Sequence, residues 1–318
     1  MANPTKHDIH AEAKNLGIDL VGFSSWHELE ESAPEYDKPS SHSTHLTTLI
    51  VLAKRYASGA SMATDHALQQ HTLGRTAWRL EESAGRLAYW LEEGDSMAAV
   101  LSAMIPDLRH QPLDFALPSG QGSHLLRQAA VKAGLGTLGL NTMLLTPQFG
   151  PRVFLAGVLT DLDLEPDDAL SSDLCLGLQE CGRCAAVCPE DAIPRRIPED
   201  AAVADSRSLD AEACSRSSQP FGPRRMADHL KRIFKAEEPA EARAIAAKPV
   251  TMHLFHHLTV MKQGAFTGCV RCQTVCPVGD DFPTIEGSQA HCQLVPAEIL
   301  QTTSDGWVSV DSLAAKVP

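Results

Sequence analysis

Apolar positions in the first half of the chain fall into two rhythms. Thr5 and Asp8 form a capping-box pattern, and the helix they open is predicted to run to about Leu16 and stop at Gly17. Continuous apolar runs at 18–23 and 47–53 predict buried strands, separated by a Ser-, Pro- and His-rich loop over 31–45. Leu73, Ala77, Leu80, Ala84, Leu87 and Leu91 then recur at three and four residues. That spacing gives one apolar face on a long helix over about 65–93, ended by Gly94. Residues 96–101 read as a further strand. Ser123 is placed to cap a helix running to Ala133, before the Gly134-Leu135-Gly136 turn. Residues 142–146 and 152–159 predict two short strands joined by a hairpin turn at 148–151. The expected class is α/β in the broad α+β sense, without a regular βαβ repeat.

The pattern changes after this point. Residues 161–173 are acidic and contain Pro166, which reads as a linker. A Cys-rich region follows, interrupted by a polar stretch over 197–223 and an Ala- and Glu-rich helical segment over 236–247. The tail beyond 293 carries little signal apart from Trp307. We therefore expect three regions: 1–165, 166–290 and a tail over 291–318.

Composition adds bounds. With 318 residues, 43% hydrophobic and 21% charged, the chain suits two compact units with a buried core. A formal net charge of −13 predicts no nucleic-acid partner, because phosphate contacts need Lys and Arg. Residues 1–18 are polar and amphipathic, unlike a secretory leader, and no run of eighteen apolar residues occurs. No membrane association is expected, and the cytoplasm is the expected compartment.

The chemistry lies in the cysteines. All nine stand at or after Cys175. One run reads Cys175-x5-Cys181-x2-Cys184-x3-Cys188-Pro189. The other reads Cys269-x2-Cys272-x3-Cys276-Pro277, with Cys214 alone upstream. In two-cluster ferredoxin modules three thiolates of one run hold a [4Fe–4S] cluster, and the Cys before Pro ligates the other cluster. Under that rule, Cys175, Cys181, Cys184 and Cys276 form one set. Cys188, Cys214, Cys269 and Cys272 form the second, and Cys292 is left over. Structural zinc, which also uses Cys-x2-Cys knuckles, is the alternative. The doubled third Cys followed by Pro favours the clusters.

The chain also resembles a known family, the epoxyqueuosine reductases and their relatives, cobalamin-dependent iron–sulfur reductases related to reductive dehalogenases. The matching residues are Ala129-Ala130-Val131-Lys132-Ala133-Gly134-Leu135-Gly136, Leu138-Gly139, Asn141-Thr142, Leu144-Leu145-Thr146-Pro147, Phe149-Gly150 and Val158-Leu159-Thr160-Asp161. The run Gly268 to Pro277 is similar to the family's second cluster motif, and Asp210-Ala211-Glu212-Ala213-Cys214 to its isolated cysteine. The resemblance implies a nitroreductase-like domain over 1–165 that binds cobalamin, followed by a ferredoxin-like double-cluster domain. It further implies electron flow from an external low-potential donor such as ferredoxin or flavodoxin, through both clusters, to the corrinoid. Gly120 stands where those reductases carry an acidic proton donor, Thr137 where they carry Trp, and Leu140 where they carry Lys. A small organic substrate other than epoxyqueuosine is therefore expected. The alternatives are an electron-transfer or corrinoid-activating protein with no substrate of its own, and a cobalamin-processing protein.

Individual residues carry narrower expectations. His124, just before the turn, and Tyr56, at a strand end, are catalytic candidates as proton donors; a satisfied surface His and a half-buried Tyr are the plain readings. Arg127 is placed to meet a corrinoid amide or an anionic substrate, or simply to face solvent. Gly134 and Gly136 let backbone approach a cofactor or make a tight turn. Thr137 and Asn141 join this cofactor-binding group through the resemblance. His253, His256 and His257 look like a metal cluster but fit a packed helix better, since Met252, Leu254, Phe255 and Leu258 surround them.

Overall fold

The computed structural model describes residues 3–30, 38–63, 66–102, 124–195, 209–218, 223–255 and 269–289. Helix α1 (Lys6–Asn15) starts at Thr5, where a full capping box forms with Asp8, and ends before Gly17 at φ +75°. Strand β1 (Leu20–Ser25) follows, then the single turn α2 (Pro39–His42), strand β2 (Thr48–Arg55) and the short α3 (Ser58–Met62). Helix α4 (His66–Glu93) is the long amphipathic helix, and all six residues of its predicted face are buried. Strand β3 (Ala98–Leu101), helix α5 (His124–Lys132) and the two-residue strands β4 (Thr137–Leu138) and β5 (Leu144–Leu145) lead into β6 (Val153–Thr160).

Strands β1, β2, β6 and β3 form one antiparallel sheet in that order. Both faces are covered. Ile50, Leu52, Ala156 and Val158 point to the layer of α1 and α4, whereas Leu49, Val51 and Leu159 point to the layer of α5, Trp26 and Leu29. Alternation along a strand produces this division, and two-sided burial explains why β2 reads as a continuous apolar run.

Two expectations are corrected here. Residues 142–146 and 152–159 do not form a hairpin together. Strand β5 pairs with β4, and β6 runs into the sheet between β2 and β3. Apolar residues on both sides of β6 gain more by burial in the sheet centre than by pairing with a two-residue neighbour. Residues 161–173 are also no free linker. Leu162 is buried, Thr47 and Thr48 donate to its carbonyl, and Asp167 accepts from the Phe23 N–H at 2.9 Å and pairs with Lys6 at 2.5 Å. Among the acidic residues that suggested a solvated linker, Asp167 accepts from edge strand β1 and Asp161 from the Met97 N–H.

The second half is built from short helices: α6 (Gly177–Glu180), α7 (Arg183–Ala186), α8 (Ala211–Ser218), α9 (Pro223–Phe234), α10 (Pro239–Ala246), α11 (Pro249–Phe255), α12 (Arg271–Thr274) and α13 (Phe282–Gln289). Among the described residues, no helix is long and apolar enough to cross a membrane.

Candidate metal centre

The two Cys runs fold alike. Helix α7 stands between Cys181 and Cys188, and α12 between Cys269 and Cys276. Val187 donates to the Arg183 carbonyl and Val275 to the Arg271 carbonyl, each at 3.2 Å; Cys188 and Cys276 close onto Ala185 and Gln273, each at 3.4 Å. The two short helices pack against each other. Gly182 enters α7 at φ +59°, a left-handed conformation that glycine adopts without strain.

The thiols sort into two groups by which faces which. Burial pushes Cys184 up to about 11, with Cys276, Cys175 and Cys181 adding to the shift. Burial also raises Cys276, and Cys175 and Cys181 are its thiol neighbours. In the second group burial raises Cys214, which faces Cys269 and Cys188, and raises Cys269, which faces Cys188. Cys272 lies deepest and is held well above the ordinary thiol range by burial, then by Cys269 and Cys214. It also senses Cys184, so the two groups adjoin. The structure thus brings Cys276 to the first run, and Cys188 and Cys214 to the second.

A small cavity of about 30 Å³ opens among Cys175, Cys181, Cys184 and Cys276, with Gly139, Leu140 and Asn141 also in its lining. Backbone donors surround the sulfurs. The Ala192 N–H donates to Cys188 Sγ at 3.2 Å, and the N–H groups of Ala185, Arg271 and Val278 favour the thiolates of Cys184, Cys269 and Cys276. Among the described residues, no three His, Cys, Asp or Glu side chains converge closely enough to hold a single metal ion.

The N-terminal candidates are placed by their own local contacts. Arg127 donates to the Thr142 carbonyl at 2.8 Å, and Thr142 sits at φ +58°, so the arginine pins a strained turn next to Asn141. Gly134, at φ +66°, passes so close to the Asp168 carbonyl that a Cβ would stand 2.3 Å from it, and a Cβ on Gly136 would stand 2.0 Å from the Leu145 carbonyl. Thr137 donates to Asp173 at 2.9 Å and accepts from the Leu174 N–H, which fixes the path of the chain into the first Cys run. Of the five, Asn141 lines the cavity. Tyr56 is buried, and its hydroxyl donates to Gln273 Oε1 at 2.7 Å, beside Cys272. Burial holds its phenol far above the ordinary range, so it stays protonated. It joins the strand to the cluster helix and is turned away from solvent. Replacing it with Phe would orphan the Gln273 amide, and a destabilisation of about 1–3 kcal/mol in thermal or urea unfolding is expected. The side chains of His124 and His253 lie outside the described residues, as do Ser123, Gly120, His256, His257, Cys292 and the tail.

Sequence reading missed Arg152. It is 1% exposed at the start of β6. Its guanidinium donates to the carbonyls of Gln273, Cys276 and Val278 at 3.1, 3.0 and 2.6 Å, and to Asp281 at 2.6 Å. The available signal was an arginine opening an otherwise apolar strand, with Asp280-Asp281 just beyond Cys276-Pro277. Beside it Gly150, at φ +52°, lets the loop approach: a Cβ there would lie 2.0 Å from the Val278 carbonyl. Gly150→Ala is expected to lower the melting temperature more than Gly177→Ala. Gly177 has φ +75°, but a methyl group placed there would meet nothing within 4 Å, so the difference isolates the clash.

No protein-family model matches the chain. Sequence relatives exist. The chain is 26% identical over 205 residues to a tetrachloroethene reductive dehalogenase of Desulfitobacterium hafniense, covering 64% of this chain and 31% of that protein. It is 25% identical over 210 residues to an epoxyqueuosine reductase of Bacillus cereus, covering 59% and 52%. A shorter match, 46% over 67 residues, joins it to an epoxyqueuosine reductase of Cyclobacterium marinum, covering 21% of each. The matches span about a third to a half of the dehalogenase and Bacillus reductase lengths. Among solved structures, a selenomethionine-labelled epoxyqueuosine reductase shares the fold with a TM-score of 0.51 at 20% identity, covering 86% of this chain and 65% of that one. A catabolic reductive dehalogenase gives 0.50 at 19%, covering 86% and 38%.

One expectation is overturned by these relatives. With epoxyqueuosine reductases among the sequence relatives, the expectation of no nucleic-acid partner does not stand: whole-chain charge averages over the surface and says nothing of a local basic patch. With sequence relatives of both names and a fold shared with both, the chain is a divergent relative, at low identity, of the epoxyqueuosine reductases and the reductive dehalogenases.

Proposed function

We propose that the chain is an iron–sulfur oxidoreductase that holds two [4Fe–4S] clusters and delivers electrons for the reduction or reductive cleavage of a small organic substrate. What supports this reading is the placement of the thiols, each run's Pro-preceding cysteine lying beside the other run. Cys276 faces Cys175, Cys181 and Cys184, and Cys188 faces Cys214 and Cys269. Such crossing is the habit of two-cluster ferredoxin modules. Each cluster, when bound, would carry one electron at a time. The chain's own residues would do the rest: eight thiols bind, backbone N–H groups favour the anionic form of several, and Leu140, Ala185 and Ile193 pack against Cys175, Cys184, Cys188 and Cys272.

Residues 1–165 would form the substrate and corrinoid unit and 166–290 the ferredoxin-like unit, with an external low-potential donor such as ferredoxin or flavodoxin. Cobalamin enters this reading from the family alone. The cavity is lined by four thiols with Leu140, Asn141, Leu145 and Arg183 among their neighbours, a set that supports an inorganic core held by thiolates.

The test is anaerobic reconstitution with iron, sulfide and hydroxocobalamin, followed by EPR. About eight irons per chain with [4Fe–4S] signals after reduction are expected. A chain that takes up zinc and forms no cubane would sink the reading. A base-off Co(II) signal supports the corrinoid reductase. Clusters with no retained corrinoid support a protein that passes electrons to another. Turnover assays on halogenated organics and on an epoxyqueuosine-containing tRNA stem loop then separate the substrates.

A further inference from the structure

The guanidinium of Arg152 divides its donors between a carboxylate and the loop that carries Cys276. Nε and Nη2 face Asp281, at 3.1 and 2.6 Å. Nη1 donates to the carbonyls of Gln273 and Cys276, at 3.1 and 3.0 Å. Of the two charges, it is therefore the cation that is hydrogen-bonded to Cys276, which lines the cavity shared with Cys175, Cys181 and Cys184. The cation is also fixed in place. It is 1% exposed, Phe282 stacks over it at 5.8 Å, and a Cβ on Gly150 or Gly279 would stand 2.9 or 2.6 Å from Nη2. A buried charge acts through a low dielectric and is screened far less by salt than an exposed one. Arg183 gives the contrast. It lines the same cavity, but its side chain is 49% exposed and pairs with an exposed Glu286 at 3.2 Å, where solvent weakens both charges.

We propose that Arg152 raises the reduction potential of the cluster held by Cys175, Cys181, Cys184 and Cys276, and so favours an electron resting there over the other cluster. This rests on the two-cluster reading above. Four thiolates around a [4Fe–4S] core give a net negative charge, and reduction adds one electron to it. A fixed cation beside one ligand lowers the cost of that added charge. Asp281 offsets part of the effect by pairing with the same cation. The hydrogen bond goes to the backbone carbonyl of the ligand residue, so Arg152 is a positioning residue.

The experiment is an EPR-monitored redox titration of the anaerobically reconstituted full chain, with iron and sulfide measured in each sample. Wild type is compared with Asp281→Asn, with the double variant Arg152→Gln, Asp281→Asn, and with Glu286→Gln. Asp281→Asn leaves the guanidinium on its three carbonyls and removes the opposing charge. One midpoint should rise by roughly a tenfold change in the one-electron equilibrium, about 59 mV. The double variant removes both charges and leaves no lone buried ion. There the same midpoint should fall below wild type, because the cation lost is the one bonded to Cys276. The midpoint that moves should be the one that survives in Cys188→Ser, and Glu286→Gln should move it less. Asp281→Asn keeps the arginine anchor, so it reports even where the double variant loses iron. Unmoved midpoints in variants with full iron would overturn the role of Arg152 and leave the clusters standing. So would an equal shift in Glu286→Gln, or a shift confined to the midpoint that Cys188→Ser abolishes. A wild-type chain without [4Fe–4S] signals would overturn the two-cluster reading itself.

Discussion

Arg152→Met is expected to destabilise the protein by about 3–5 kcal/mol, read as a fall in the urea midpoint and in the iron retained after reconstitution. The arginine is 1% exposed, and its fork is filled by three carbonyls and the Asp281 carboxylate, which is itself 20% exposed. A buried ion pair is weak evidence for stability by itself. Removing one member is different, because it leaves a partly buried carboxylate and three carbonyl acceptors unpaired. All four acceptors belong to the segment from Gln273 to Asp281, so the loss would free the second Cys run from the sheet. Arg152→Lys should recover only part of the loss, since a single ammonium cannot reproduce the planar fork. A double-mutant cycle with Asp281→Asn checks the assignment. Coupling near zero would mean that the anchor lies elsewhere.

The second large effect concerns which cluster each Pro-preceding cysteine serves. Cys276→Ser should remove the cluster of the first run, and Cys188→Ser the cluster of the second. Each variant should retain about four irons rather than eight after reconstitution. The two surviving clusters should then differ in EPR line shape and midpoint. Pairing Cys276→Ser with Cys181→Ser discriminates further: both belong to one set, so the double variant should lose no more iron than either single one. Cys276→Ser combined with Cys269→Ser should lose both clusters. Ligation within each run, without exchange, would give the reverse pattern of iron loss. The geometry that motivates this expectation is direct. Cys276 has Cys175 and Cys181 as its thiol neighbours, and Cys188 neighbours Cys214 and Cys269.

Much of the candidate site was legible because its signals are local. The Cys-x2-Cys-x3-Cys-Pro spacing places successive sulfurs around a single short helical turn, and α7 and α12 repeat the same hydrogen bonds. Arg152 was illegible because its role depends on four acceptors more than a hundred residues away. Asn141 was singled out only through the resemblance, as a cofactor contact. Its place in the cavity beside Cys175, Cys181, Cys184 and Cys276 depends on how the loop after α5 meets the Cys runs. Tyr56 looked like a strand-end proton donor, because nothing within reach of its own sequence neighbourhood shows that Gln273 covers it.

Repeating side-chain patterns were enough to define α1, α4 and the interior strands, because a helix face or a strand face is encoded by residues within one or two turns of each other. The identity of the eight candidate thiols is equally local. Only the tertiary structure decided that β6 leaves its expected hairpin for the centre of the sheet, and that the acidic segment after it docks along β1. It also decided that a single buried arginine ties the second run to the start of β6. These choices turn on which distant surfaces bury one another and which buried donors find acceptors, and a one-dimensional pattern does not carry that information.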